Sequence, residues 1–475
     1  MDAEQAAVEL ARLDEVGSVT WPAPDEYDQE AWPALFKDGD RMRRTPVVVR
    51  PSTANGVASV LVWAAEHGVR VRARGGGSNV VGAGQTPAEV IVSTERLRGV
   101  VSFDDASHVI TAGAGTKGGE LEEELALRGF TLGHYPQSLH VSTLGGWIAM
   151  RATGTYSAHF GGIERLLCGA TVVLPSGEIV TIPPRARASG GLDLLTLLCG
   201  SEGSLGIVTE ASLTVYRQMS ETRTCAAMDT FVGGLSAARE LVQRGIPLGL
   251  VRLSNPAESD AIADGAVSGC ECLLIATSLG PHAVVRAAAG EIESVLLESG
   301  GRLLSGSIAD QWFRGRYAGR ELMADRNRAP GRMFDTFEVT LPWRTAAHAA
   351  ADLERACRRV STPFHLHASH IYPSGTCLYG LLYLCEDDDA LVLDRWRSIW
   401  PEILDIVAAH GGTLAHHHGI GQLRAQRYRA TAEGRLHKHI ANALDGDGVL
   451  AASLLDNPGA HGVESDSYVQ ASRDV

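Results

Sequence analysis

The sequence is short of features that would place it in several large classes. No apolar run reaches the roughly 18–20 residues that cross a bilayer, so no membrane span is expected. Basic residues are in deficit, 42 Lys and Arg against 56 Asp and Glu, a formal net charge of −14. An acidic surface repels phosphates, which argues against nucleic acid as the main partner. Cysteine is sparse, eight in 475 residues, mostly in apolar settings such as Cys168, Cys199 and Cys377. Reduced thiols in a cytoplasm fit this better than a disulfide framework. Only Cys270-Glu271-Cys272 is close-spaced, and nothing nearby completes a zinc set, so no metal is expected. The opening "MDAEQAAVELARLDEVG" has neither the basic head nor the apolar stretch of a signal peptide.

A chain of this length predicts two or three domains. Residues 1–40 read as a helical leader, and from about 45 to 217 strands alternate with helices. "TPVVVRP" is a β-branched strand, and "TANGVASVLVWAAEHG" has helical apolar spacing with a glycine at its end. "VRVRA", "AEVIVST", "GVVSFD" and "HVITAGAGT" are strands, "KGGELEEELALRG" is a helix, and "GATVVLPSGEIVT" is a hairpin. Residues 218–405 carry different content, with strands "GLVRLS", "CECLLIATS" and "FDTFEVTLPW". "HLHASHIYP" and "TCLYGLLYLCE" flank Pro-Ser-Gly as a second hairpin. The helix "DRWRSIWPEILDIVAAHGG" then delivers "AHHHGIG" in a segment 406–475, whose tail after about 456 is polar. Boundaries at 41–217 and 218–405 follow from this change of content.

"ARGGGSN" directly follows a strand, and three successive glycines let backbone N–H groups close on an anion such as a pyrophosphate. It is neither G-x-G-x-x-G nor a Walker loop, which disfavours a Rossmann site or an ATPase. Two more loops, "GHYPQSLHVSTLGGW" and "GSEGSLGIVTE", predict an extended polar cofactor lying along backbone amides.

The order "RGGGSN … PQSLHVSTLGGW … GSEGSLGIVTE … HHHGIG" resembles the FAD-binding flavoenzymes of the vanillyl-alcohol oxidase (PCMH-type) superfamily. Within it, "SHIYPSGTCLY" and the triple histidine are most similar to alkyldihydroxyacetonephosphate synthases and their bacterial relatives. The resemblance implies an α+β fold. A PCMH-type FAD-binding domain of two α/β subdomains would join an α+β substrate (cap) domain with an antiparallel sheet. The C-terminal segment would return to the FAD domain, and a homodimer is implied. Residues Ala73, Arg74, Gly75, Gly76, Gly77, Ser78 and Asn79 would hold the FAD pyrophosphate. Gln137, Ser138, Leu139, His140, Val141, Ser142 and Thr143 would line the dinucleotide, as would Met150, Arg151, Ala152 and Thr153. Glu202, Gly203, Ser204, Leu205, Gly206, Ile207 and Val208 would complete it. Some relatives attach flavin through a histidine just after the glycines; Ser78 stands there, so non-covalent FAD is expected.

The same resemblance assigns Tyr379, His416, His417, His418, Arg252 and His134 to the catalytic site, with His367 and His370 nearby. Strand alternation puts Tyr379 on one face with Cys377, Leu381 and Tyr383, and Tyr383 is the alternative phenol. Adjacent side chains of an extended segment diverge, so three consecutive imidazoles are not expected to share one ion. The synthases' phosphate-gripping arginine falls at Met323 or Ala324, with Arg326 and Arg328 close by. An FAD-dependent oxidation is therefore expected. A base, Tyr379 or a histidine, takes a proton and hydride passes to flavin N5 from a small, carboxylate-bearing hydroxy acid or amine. The alternative is the synthase-like, non-redox exchange of acyl for alkyl on acyl-dihydroxyacetone phosphate through a flavin N5 adduct.

Overall fold

The computed structural model describes residues 2–24, 31–37, 46–317 and 319–456. The polar tail and part of the N-terminal leader lie outside them. Three sheets carry the architecture. The first orders Ser18–Thr20, Val47–Arg50, Val90–Ser93 and Val71–Arg74, and its last three strands are parallel. The helix Ala54–His67 makes the crossover between Val47–Arg50 and Val71–Arg74. Thr53 caps its start by accepting from Gly56 N, and Gly68 ends it at φ +63°, a left-handed conformation that favours glycine. The second sheet is wholly antiparallel, in the order Val100–Asp104, Val109–Gly113, Ile207–Thr214, Leu167–Val173, Ile179–Ile182.

The third sheet has seven antiparallel strands. Their order is Arg302–Leu304, Ser220–Met228, Cys272–Gly280, Leu248–Ser254, His365–Tyr372, Gly375–Cys385, Arg332–Pro342. The expected hairpin is present, with Tyr372 paired to Gly375. The two faces of this sheet differ. Leu253, Leu366, Ala368, Leu378 and Phe337 join the core beneath the helices Phe231–Gln243, Trp343–Cys357 and Asp389–Ala409. Alternate residues Arg252, His367, Ser369, Tyr379 and Thr336 turn to the opposite side and line a cavity. The chain end comes back to the first sheet, where Val71 N donates to Val449 O (2.7 Å) and Ala451 N to Val71 O (2.8 Å).

The fold is α+β, as expected, and the named strands form. The sequence reading has no element at Trp343–Cys357, yet its buried Ala346, Ala349, Ala350, Leu353 and Ala356 follow the 3–4 spacing of a helix. The strand Ser220–Met228 and the helices Gly421–Ala430 and Ala432–Leu444 are likewise additional. No helix among the described residues is long and apolar enough to cross a membrane.

Candidate active site

A cavity of about 550 Å3 runs between the glycine loop and the open face of the seven-stranded sheet. All of residues 73–79 line it, with Gln137, Ser138, Ser142, Thr143, Met150, Ala152, Thr153, Glu202, Gly203, Gly206, Ile207 and Val208. The loop passes so close to the next segment that a Cβ on Gly76 would sit 1.9 Å from Val141 O, and one on Gly75 2.4 Å from Thr143 Oγ1. Glycine is therefore required there. Among the described residues, the N–H groups of residues 75–79 find no protein acceptor. A row of unsatisfied amides at a cavity wall is the donor set that a pyrophosphate takes, so the residues present fit FAD.

Several expected lining residues are elsewhere. Leu139 and Leu205 are buried in packing, His140 is exposed, and Arg151 points away from the cavity. Val141 contributes its carbonyl to the close approach at Gly76. Ser204 is behind the wall, 2.8 Å from His437 Nε2.

His134 is also off the wall. It is fully enclosed, edge-on to Trp147 with ring centroids 4.6 Å apart, and neither ring nitrogen has a hydrogen-bond partner. Burial pushes its pKa down to about 3, so it is a neutral packing group.

Arg252 does face the cavity, but it is not a free cation. Its Nη2 donates to Glu258 Oε1 at 2.6 Å and lies 2.9 Å from His367 Nδ1. Burial alone would raise the Glu258 pKa; the charge of Arg252, with the contact from His367, outweighs it and holds the carboxyl well below the usual range. Arg252 Nε has no partner among the described residues, and the guanidinium sits 5.2 Å from the Trp312 ring centroid. His367, pushed by burial down to about 4, stacks on Tyr379 at 4.8 Å and 11°. Tyr379 lines the cavity, and burial raises its pKa, so the phenol keeps its proton at neutral pH. Tyr383 is not on the wall; Arg326 lies over its ring at 5.0 Å.

The triple histidine is held by a group that the sequence reading missed. Glu338, fully buried on the strand Arg332–Pro342, accepts from the backbone N–H of His416 (3.2 Å), His417 (3.2 Å) and His418 (2.9 Å). Arg424 closes the cluster with a fork onto both oxygens, 3.0 and 2.6 Å. Burial would raise the Glu338 pKa, but Arg424 and His418 outweigh it and the carboxyl stays well below its ordinary value. Three successive amides aimed at one carboxylate curl the segment, and the imidazoles do not diverge. His416 Nδ1 and His417 Nδ1 are 2.7 Å apart, correcting the extended-segment expectation.

His417 and His418 line the cavity, while His416 lies behind, with Nε2 2.8 Å from the Tyr372 hydroxyl. His370, at φ +50°, lines the cavity and stacks on His416 at 4.8 Å; its Nδ1 is 2.7 Å from Ser157 Oγ. Burial lowers the pKa of His416 to about 4, and those of His370 and His417 well below the ordinary value. The nitrogens of His370, His416 and His417 lie within 4.8 Å of one another. Neutral imidazoles this close can pass a proton between them or take up a divalent cation.

Met323 and Ala324 line the cavity where the synthases' arginine is expected, and so does Arg328. Glu202 accepts from Ile420 N (2.6 Å) and Gly421 N (3.0 Å), and Asn79 Nδ2 donates to His418 O (3.3 Å), tying the histidine segment to both cofactor loops. Signals for Glu338 and Glu258 existed: one is an acid inside a largely apolar strand, "DTFEVTLP", and the other an acid at a helix start, "NPAESD".

Acid precipitation tests the Ser78 position. Yellow flavin should appear in the supernatant, because a serine hydroxyl on the wall offers no covalent anchor comparable to an imidazole. Colour retained by the denatured chain would contradict it.

Comparison with known proteins gives a consistent picture. A model of FAD binding domains matches residues 45–183, and one of the C-terminal domain of FAD linked oxidases matches residues 218–454. The alkyldihydroxyacetonephosphate synthase of Caenorhabditis elegans is 26% identical over 466 residues, covering 89% of this chain and 78% of that protein. A D-lactate dehydrogenase of Archaeoglobus fulgidus is 29% identical over 246 residues, 51% of this chain and 54% of that protein. Among solved structures, p-cresol methylhydroxylase with substrate bound superposes with a TM-score of 0.76 at 16% identity, over 96% of this chain and 97% of that one.

Proposed function

Because the chain belongs to the FAD-linked oxidases and is an FAD-dependent enzyme, we propose that it oxidises a small hydroxy acid or amine whose carboxylate meets Arg252. The observation that carries this reading is Arg252 on the wall that also holds Tyr379 and His367, with its Nε lacking a partner among the described residues. Bound FAD supplies the two-electron acceptor. Residues 75–79, Ser138, Thr143 and Glu202 would hold that cofactor. Neutral His417, facing the cavity, takes the proton released from the substrate hydroxyl or amine. Its Nδ1 contact with His416 lets that proton spread over two imidazoles. Tyr379, protonated and stacked on His367, donates a hydrogen bond to the reacting oxygen or nitrogen and fixes its direction. A homodimer in the cytoplasm is part of the same proposal.

Glu258 already offsets much of the Arg252 charge, which leaves donors for one carboxylate and little for a phosphate dianion. A small carboxylate should therefore perturb the flavin spectrum at lower concentration than its phosphate-ester counterpart. Arg252→Lys should weaken it, since an ammonium cannot reproduce the fork. The measurement is an absorbance titration of wild type and variant. A second reading, the synthase-like exchange, is favoured by one observation: Arg328 lines the cavity near Met323 and Ala324. Tighter binding of acyl-dihydroxyacetone phosphate that survives Arg252→Lys would overturn the carboxylate reading and make Arg328 the phosphate anchor.

A further inference from the structure

Tyr135 lines the flavin cavity and also a second one, of about 410 Å3, whose walls include Tyr156, Arg223, Phe313, Arg314 and Arg316. The guanidiniums of this second cavity are not equally committed. Arg223 is committed, to Glu221 through Nε (2.9 Å) and to Asp310 through Nη1 (2.7 Å). Arg316 has no carboxylate partner among the described residues; its Nη2 donates to the Tyr317 hydroxyl (2.8 Å), and its buried Nε has no partner. Around the three guanidiniums stand Glu221 and Asp310, both held by Arg223, and Glu122 behind Tyr135, so Arg316 has no carboxylate of its own among the described residues.

The rest of the wall is aromatic. Arg316 lies 5.4 Å from the Tyr135 ring centroid, 5.1 Å from Phe313 and 4.7 Å from Tyr317. Both cavity phenols are already bonded, Tyr135 to Glu122 (3.0 Å) and Tyr156 to Glu221 (2.9 Å). What remains for a guest is ring surface and a guanidinium edge. Rings hold the guanidinium in place without neutralising it, so its charge is left for an anion.

We propose that this cavity is a binding site for a carboxylate monoanion with a flat apolar body, anchored by Arg316. The guanidinium of Arg316 offers one anchor, which matches a single carboxylate, and a dianion would keep a desolvated charge unpaired. Through the shared Tyr135, the site stands beside the flavin cavity as a place where an acid is held before it is oxidised. Only that purpose rests on the carboxylate reading above; the site itself does not.

The test uses FAD-loaded protein and sodium benzoate, followed by calorimetry and flavin absorbance together. One equivalent of benzoate should bind without changing the flavin spectrum. Arg316→Gln should weaken that silent equivalent by about tenfold or more, the scale of one charge-assisted hydrogen-bond fork. Any spectral response of the flavin cavity should stay as it was. Arg316→Lys, which keeps the charge, should lose less, and it serves if the glutamine variant does not retain FAD. Inorganic phosphate should bind this site more weakly than benzoate. Absence of a silent equivalent, or one indifferent to both Arg316 variants, overturns the proposal. Loss of only the spectral response, in Arg252→Lys, bears on the carboxylate reading and not on this site.

Discussion

Tyr379→Phe should leave FAD bound and slow reduction of the flavin by substrate by about 10²–10⁴, the scale of losing a positioned proton-transfer group. The ring would remain, still stacked on His367 and still filling its place on the strand Gly375–Cys385, so packing is nearly conserved. What goes is the hydroxyl. Burial keeps that hydroxyl protonated, which makes it a fixed donor beside two neutral imidazoles, His367 and His417. Without it the substrate's reacting atom loses its directing hydrogen bond, and the proton must go to His417 from an unaligned position. The measurement is single-turnover bleaching of the flavin with whichever acid or amine proves active. Bleaching within threefold of wild type would reduce Tyr379 to a packing residue.

The largest effect on stability is expected at Arg424, whose side chain is completely buried. Arg424→Met preserves much of the volume but leaves Glu338 in the interior with the His418 imidazole, 3.1 Å away, as its remaining partner of opposite charge when protonated. Removing one partner of a buried pair costs about 3–5 kcal/mol, because the stranded charge is more expensive than the lost attraction. The three backbone amides of residues 416–418 offset part of that cost, so the lower half of the range is expected. Arg424 Nη1 also donates to Gly419 O (2.7 Å), and the histidine segment should loosen with it. A urea titration followed by flavin fluorescence would register early cofactor release before the main unfolding transition. The double variant Arg424→Met/Glu338→Gln should recover part of the loss, since it removes the stranded charge and keeps an acceptor for the amides. A single variant as stable as wild type would mean that the amides and His418 satisfy Glu338.

Much of the fold was legible because its strands are regular. Period-two alternation in "TCLYGLLYLC" put Tyr379 on one face and Leu378 and Leu382 on the other, and the sheet keeps them there. The glycine triplet was legible for a similar reason: only glycine tolerates the approach that the loop makes to Val141. The histidine cluster was legible as a string but not as a shape. Its curl is imposed by Glu338, 78 to 80 positions away, and no local spacing reveals a partner at that distance. The same holds for Arg252, whose charge depends on a carboxylate one helix start later and an imidazole 115 positions on. His134 shows the converse: a motif position that resembles an active-site residue lies buried against Trp147, off the cavity wall. Local pattern fixes which face a side chain takes, and tertiary pairing decides what it can do there.

The ties between the histidine segment and the glycine loop also set an order in time. Asn79 reaches His418 across 339 positions, Gln422 reaches Gln85 O across 337, and Ser453 reaches Gly82 O across 371. Synthesis runs from the N-terminus at about 5–20 residues per second, and domains form as they emerge. The cradle for the pyrophosphate can therefore fold before the segment that covers it has been made. A chain still being made has a cofactor site with one wall missing, open to water and to exchange. Retention of FAD then depends on that later segment: a chain stopped short of residue 411 would carry the glycine loop and all seven strands of the large sheet, yet lack the histidine wall of the cavity.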